Sequence, residues 1–306
     1  MEPAAEVEID DGLVRTLLRE QHPDLADRAL QPLASGWDNV LYRLGPDLTM
    51  RLPRRAVAAE LIRHEQRWLP ELAPRLPLAV PVPIRVGEPG PRFAWPWSVS
   101  AWLPGDPAWT NPPVDPVTAA GALGSFLAAL HHPAPAEAPV NPYRGVPLAQ
   151  RATRFHEALA GLDRDEPGWA VELGLDRDHL VDEVEGAAAG PAWSHEPAWV
   201  HGDLHPLNLL VDRGSLAAVV DFGDLTSGDP ATDLAVAWFL LPDRALDAFR
   251  TAAGADRAVD DPTWDRARAW ALALSVAYLA GQGHVREIGR RALVRLVGRA
   301  SPGRPT

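Results

Sequence analysis

The spacing of apolar positions changes along the chain, and the changes mark its parts. Leu13, Val14, Leu17 and Leu18 recur at helical spacing behind Asp10 and Asp11, which suit a helix cap, so a short helix is expected there. From Leu33 the pattern becomes that of strands. Leu33-Ala34 leads into a small-residue turn at Ser35-Gly36, Val40 to Leu44 forms a second strand, and Leu48 to Leu52 a third after the Gly45-Pro46-Asp47 turn. Ala56 to Leu72 returns to the helical period, with Leu61, Glu65, Trp68 and Leu69 near one stripe. Val80, Val82, Ile84 and Val86 then alternate as a strand does, and Trp97 to Leu103 predicts another. Pro104-Gly105-Asp106-Pro107 breaks that run and sets a boundary at about residue 105.

Beyond the break the pattern is mostly helical. Asp115-Pro116 starts a helix with Leu123, Phe126, Leu127 and Leu130 at helical spacing, ending at His131-His132-Pro133. Adjacent histidines on a helix point about 100° apart, so this pair reads as a helix end and not as a metal site. The Pro- and Ala-rich region 134–198 holds two expected helices, about 147–162 and 176–189. The runs 234–241, 243–253 and 261–281 also read as helices. Between these groups lie Trp199-Val200 and Leu207 to Val211, two short apolar strands around a polar loop, and then Leu216 to Val220.

At 306 residues the chain can hold two lobes with a sizeable core. It has no cysteine, which excludes disulfide and thiolate chemistry. The acidic start lacks the apolar core of a signal peptide, and the longest apolar run, Ala269 to Ala280, is too short to span a bilayer. A cytoplasmic protein without a membrane partner is therefore expected. Residues 106–285 carry 11 arginines against 26 acids, which argues against nucleic acid and mildly for a cationic partner. All 29 basic residues are arginine; there is no lysine.

The polar loop is where chemistry concentrates. Asp203 and Asn208 stand five apart across a turn containing Pro206, and Asp221 ends the apolar run that begins at Leu216. Each alone is an ordinary turn former. Together, at adjacent strand ends, they suit phosphoryl transfer: one carboxylate takes a hydroxyl proton, while an amide oxygen and a second carboxylate hold magnesium on phosphates.

Asp203, Asn208 and Asp221-Phe222-Gly223 follow the order of a protein kinase. With His201-Gly202 and Gly228-Asp229-Pro230-Ala231-Thr232-Asp233, they make the chain resemble the aminoglycoside phosphotransferase and choline kinase superfamily. The resemblance implies an α+β, bilobal protein-kinase-like fold, with a small antiparallel sheet in an N-lobe over 1–104 and a mostly helical C-lobe over 105–306. It implies Asp203 as catalytic base, Asn208 and Asp221 as magnesium ligands, and His201 and Asp233 as braces of the loop. His205 stands where protein kinases carry a phosphate-contacting lysine, with a loop hydrogen bond as its alternative role.

Arg51 occupies the strand position of the usual phosphate-binding lysine, with Glu65 as its helix partner and Glu60 as runner-up. The Ser35-Gly36 turn is expected to cradle phosphates, and the backbone near Ser100 and Trp102 to contact adenine. The expected reaction moves the γ-phosphoryl of ATP, or GTP, with Mg2+, to a hydroxyl of a small and cationic acceptor. The acceptor would be an antibiotic of the aminoglycoside, macrolide or tuberactinomycin kind. The alternatives are a metabolite kinase of the choline, homoserine or fructosamine type and a nucleotide-binding pseudokinase. A protein kinase is unlike it, because residues 221–233 leave no room for an activation loop and contain no Ala-Pro-Glu motif.

Overall fold

The structure, a computed structural model, describes residues 4–254 and 260–297. The N-terminal lobe begins with helix α1 (Asp11–Gln21), capped by the Asp10 carboxylate on the Leu13 N–H at 2.7 Å. Five antiparallel strands follow: β1 (Leu30–Ser35), β2 (Asn39–Leu44), β3 (Leu48–Pro53), β4 (Pro83–Gly87) and β5 (Trp97–Ala101). Their order in the sheet is β1-β2-β3-β5-β4, and helix α2 (Ala56–Leu72) runs between β3 and β4.

Alternation along β3 decides what each face of the sheet does. Leu48, Met50 and Leu52 join Val14, Leu17 and Leu18 of α1 in the lobe's apolar cluster. Arg51 therefore points to the opposite face, where α2 lies.

The C-terminal lobe contains β6 (Asp106–Pro107), then α3 (Pro116–Leu130), α4 (Leu148–Asp165), α5 (Trp169–Glu172) and α6 (Arg177–Ala189). Strands β7 (Ala198–Val200), β8 (Leu209–Asp212), β9 (Ser215–Val219) and β10 (Thr226–Gly228) come next. Helices α7 (Ala231–Leu234), α8 (Val236–Leu240), α9 (Leu246–Ala253), α10 (Asp261–Leu279) and α11 (Gly283–Val297) complete it. β8 pairs with both β6 and β9, and β7 pairs with β10, all antiparallel. Helix α10 is buried nearly all round and packs on α4, α6, α7 and α11. The bilobal, kinase-like α+β architecture expected from the sequence is present.

Element boundaries differ in four places. The strand expected from Val80 begins only at Pro83, because Pro81 and Pro83 have no N–H to give a ladder. Ala79 turns instead to β9, accepting from Val219 N–H at 2.9 Å and donating to Ala217 at 3.2 Å. The strand Trp97–Leu103 stops at Ala101, where the Trp102 N–H leaves the sheet for the Asp47 carbonyl at 2.7 Å. The run 234–241 is divided between α7 and α8. Residues 283–297, for which no element is expected from the sequence, form α11, whose Ile288, Ala292, Leu293 and Leu296 face the core.

Candidate active site

The loop between β7 and β8 is held from below by one carboxylate. Asp233, fully buried in α7, accepts from His201 N–H at 2.7 Å and Gly202 N–H at 2.9 Å, and pairs with His131 Nε2 at 3.1 Å. Gly202 has φ +90°, and a Cβ there would lie 2.4 Å from the Asp224 carbonyl, so only glycine fits. The His201 ring is buried too. Its Nδ1 accepts from Asp203 N–H at 3.2 Å, which leaves Nε2 to donate to the Val220 carbonyl at 3.1 Å. One histidine thus ties the loop to the strand end that carries Asp221.

Asp203 emerges from this frame among donors. Arg144 Nη2 reaches its Oδ1 at 3.0 Å, and His205 Nε2 lies 3.4 Å from Oδ2. Burial pushes the Asp203 carboxyl up, but His205 and then the Arg144 guanidinium outweigh it and hold the group well below the usual carboxylate range. His205 Nδ1 accepts from Leu207 N–H at 3.3 Å, so the ring braces the loop turn and turns Nε2 toward Asp203. Asn208 donates from Nδ2 to the Asp203 carbonyl at 2.8 Å, which leaves its amide oxygen available to a cation.

Asp221 sits at φ +64°, an uncommon conformation for a residue with a side chain, and its side chain is 49 % exposed. It is the meeting point of the lobes. Arg51 of β3 reaches Asp221 Oδ1 at 2.6 Å with Nη2 and Glu65 of α2 at 2.7 Å with Nη1. Turned with its amide oxygen toward the guanidinium, Asn39 accepts from Arg51 Nε at 3.1 Å and Nη2 at 2.8 Å. Burial raises Asp221, but Arg51 pulls its carboxyl below the ordinary value. Burial pushes Glu65 up to about 7 against the pull of Arg51. Glu60 instead faces solvent and pairs with Arg63 at 2.9 Å.

The other expected nucleotide contacts are placed as follows. Arg54 Nη1 donates to Ser35 Oγ at 3.1 Å and to the Gly36 carbonyl at 2.9 Å, fixing the β1–β2 turn above the cleft. Ser100 lies within β5, between Thr49 and Pro83 in the register. The Trp102 amide is committed to Asp47, and its ring lies under the Arg43 guanidinium at 3.7 Å, so this amide is not available to adenine.

Sequence reasoning expects acceptor recognition within 134–198 but names none of the residues arriving from segment 139–154, and none from α10. Arg144 bridges Asp203 and, at 3.6 Å, Asp224, which Asn141 also holds at 2.8 Å. Arg144, Arg151, Asp224 and Tyr278 line a cavity of about 240 Å³ beside Asp203. No motif spacing announces them, because they come from separate elements. The cavity's arginines also run against the cationic acceptor expected from the lobe's acidic balance.

No group of three or more His, Asp or Glu suited to a metal occurs among the described residues. A magnesium ion on nucleotide phosphates needs fewer protein ligands than that. The Asn208 amide oxygen and the Asp221 oxygen not bound to Arg51 are a donor set that fits it. No helix among the described residues is long and apolar enough to cross a membrane.

This arrangement, a loop aspartate with an asparagine and a second aspartate under a strand-borne cation, is that of a kinase-type phosphotransferase. The chain matches the profile of the Phosphotransferase enzyme family over residues 29–270 and belongs to that family. The chain is therefore a phosphotransferase.

Among solved structures it is similar to the GDP complex of wild-type aminoglycoside 2'-phosphotransferase-IIIa, at 21 % identity and TM-score 0.70, covering 94 % of this chain and 98 % of that one. It is also similar to the macrolide 2'-phosphotransferase MphH from Brachybacterium faecium, at 23 % identity and TM-score 0.60, covering 96 % and 99 %. A streptomycin–ATP ternary complex of APH(2'')-IIa aligns at 15 % identity and TM-score 0.56, covering 94 % and 97 %. At these identities the likeness concerns the fold. No curated protein sequence matches.

Proposed function

We propose that the protein is a small-molecule kinase that moves the γ-phosphoryl of Mg·ATP to a hydroxyl positioned by Asp203. The observation that carries this reading is the convergence on one cleft of Asp203, Asn208, Asp221 and the Arg51–Glu65 pair. In the reaction the acceptor oxygen forms a bond to the γ-phosphorus. The bond from that phosphorus to the β,γ-bridging oxygen breaks with its electron pair leaving on ADP, and the hydroxyl proton passes to Asp203. Magnesium, when held by Asn208 and Asp221, neutralises charge on the phosphate oxygens. Arg51, braced by Glu65, binds the nucleotide phosphates, while His201 and Asp233 hold the loop. Because Asp203 is strongly acidic, it orients the hydroxyl and receives the proton late, as suits a loose phosphoryl-transfer transition state.

The structural neighbours and the family resemblance support an antibiotic as acceptor. A metabolite kinase is the second reading, and it is favoured by the arginines lining the cavity beside Asp203. GDP and ATP both appear in the neighbours, so GTP stands beside ATP as a donor to be tried.

The deciding experiment is Asp203→Asn. Transfer to any acceptor should fall by about 10² or more while nucleotide affinity stays within a few-fold, since the base acts in the chemical step. A variant that keeps above about a tenth of the rate would remove Asp203 from that role. If the wild type binds nucleotide but transfers to no acceptor and to no water, the pseudokinase alternative replaces this reading.

A further inference from the structure

The cavity beside Asp203 contains a cation with no carboxylate partner among the described residues. Arg151 of α4 is 8 % exposed, yet no carboxylate among the described residues lies within ion-pair distance of it, and its Nε has no hydrogen-bond partner. Among the described residues its guanidinium faces the Trp270 ring, at 5.7 Å, a distance at which a cation–π contact is weak. Burial and the neighbouring Arg144 and Arg154 push Arg151 down to about 10. A buried charge without a counter-ion is destabilising, so a polar ligand that completes it gains much of what the fold gives up.

A second group in the same cavity is also unsatisfied. The Tyr278 hydroxyl of α10 is buried without a partner, and burial together with Asp203 pushes it well above the ordinary phenol range, so it remains a donor. The remaining wall is formed by Tyr143, Arg144, Asp224, Leu274 and Ala277. Asp224, the one acid there, is already taken by Arg144 and Asn141. Arg144, whose other end bonds Asp203, fixes the cavity one side chain away from the reacting hydroxyl.

We propose that this cavity is the acceptor subsite and that it selects a hydroxylated carboxylic acid, whose carboxylate is received by Arg151 and Tyr278 while its hydroxyl faces Asp203. This rests on the phosphoryl-transfer reading above and adds the chemical class of the acceptor. The planar guanidinium fork matches a carboxylate in two-point contact. A polycationic acceptor meets two buried arginines here. The acids at the cavity, Asp203 and Asp224, are paired with Arg144, and Asp229 is paired with Arg266 at 2.7 Å.

The test uses matched triplets of hydroxyl compounds differing in one substituent, carboxylate, carboxamide or aminomethyl, on three-carbon, sugar and amino-acid skeletons. A phosphate ester of each skeleton is included. Binding is measured by calorimetry on full-length Asp203→Asn with Mg·ATP bound, and turnover on the wild type. Carboxylates should bind at least about tenfold more tightly than their amides, as loss of a charge-assisted hydrogen bond requires. In Arg151→Gln that ratio should collapse toward one, and Arg151→Lys should restore part of it. A merely structural role for Arg151 would move both affinities together and leave the ratio intact.

Preference for amide, amine or phosphate ester over carboxylate overturns the proposal. So does an unchanged ratio in Arg151→Gln, or failure of every carboxylate to bind. Carboxylate binding without wild-type turnover keeps the subsite and counts against phosphoryl transfer. Turnover without carboxylate preference does the reverse.

Discussion

In the proposed nucleotide site the phosphate-binding role falls to Arg51, since no lysine exists in the chain. It touches Glu65 at 2.7 Å and Asp221 at 2.6 Å, so its contribution should be shared with its partners. We expect Arg51→Ala and Glu65→Ala each to raise the nucleotide KM or lower kcat. The double variant should lose much less than the product of the two effects, as contacting residues do. Arg51→Lys should still be impaired by about tenfold in kcat/KM, because an ammonium cannot keep the forked contact. Steady-state kinetics at saturating magnesium and acceptor decide both, and an unchanged kcat/KM in Arg51→Ala would take Arg51 out of the site.

Glu65 adds a pH signature. Its folded-state pKa, about 7, lies above its unfolded value of 4.5, so between those values the folded protein holds the extra proton. Its contribution to stability is therefore present below 4.5 and declines as pH rises through about 7. The ionised form is the one that braces Arg51, so nucleotide kcat/KM should rise over the same window. Denaturation and kinetics of wild type against Glu65→Gln isolate both trends, and parallel trends in the two would refute the assignment. Asp203 and Asp221, both lowered, contribute nothing to this window. Asp203, Asn208 and Asp221 were legible from spacing, because chemistry that needs three groups at two strand ends leaves a fixed pattern. Arg151 and Tyr278 left none: on sequence alone one is an arginine of a mixed helix and the other part of an apolar run.

At the scale of elements, period and punctuation located most helices and strands, and the misses have physical causes. Pro81 and Pro83 sit inside an alternating apolar run, and alternation alone cannot report that a ladder needs N–H donors. In α11 the buried positions are at helical spacing, but Arg286, Arg290, Arg291 and Arg295 interrupt the apolar pattern that would announce it. Close helix packing is less visible still. Gly124 of α3 has no room for a side chain, since a Cβ there would stand 2.7 Å from the Phe249 carbonyl and from Ala252 Cβ on α9. The helix's own preference for alanine is therefore overruled by its neighbour. Gly124→Ala should destabilise the protein by about 1–3 kcal/mol through overpacking. Denaturant unfolding measures this, and a neutral or stabilising result would mean that α9 moves aside freely.

At the scale of the molecule, the two lobes are joined by more than the chain that runs between them. The sheet side has its own apolar cluster with α1, whereas the far end of α2, at Trp68, Leu69 and Leu72, belongs to the larger C-lobe cluster. Trp68 meets Trp199 of β7 edge to face with ring centroids 5.0 Å apart. Glu65 lies one turn earlier on the same helix, so the packing that joins the lobes also sets the position of the carboxylate that holds Arg51. The two functions should fail together. Trp68→Ala removes a nearly buried indole and should lower stability by about 3–5 kcal/mol. It should also raise the nucleotide KM, although Trp68 takes no part in the hydrogen bonds that join Arg51 to Glu65 and Asp221. Trp68→Phe keeps a ring against Trp199 and should restore most of both. Unfolding curves and nucleotide kinetics on the same preparations test the link. A variant that loses stability with its nucleotide KM unchanged would show that α2 is positioned by the sheet alone, and that the C-lobe merely rests against it.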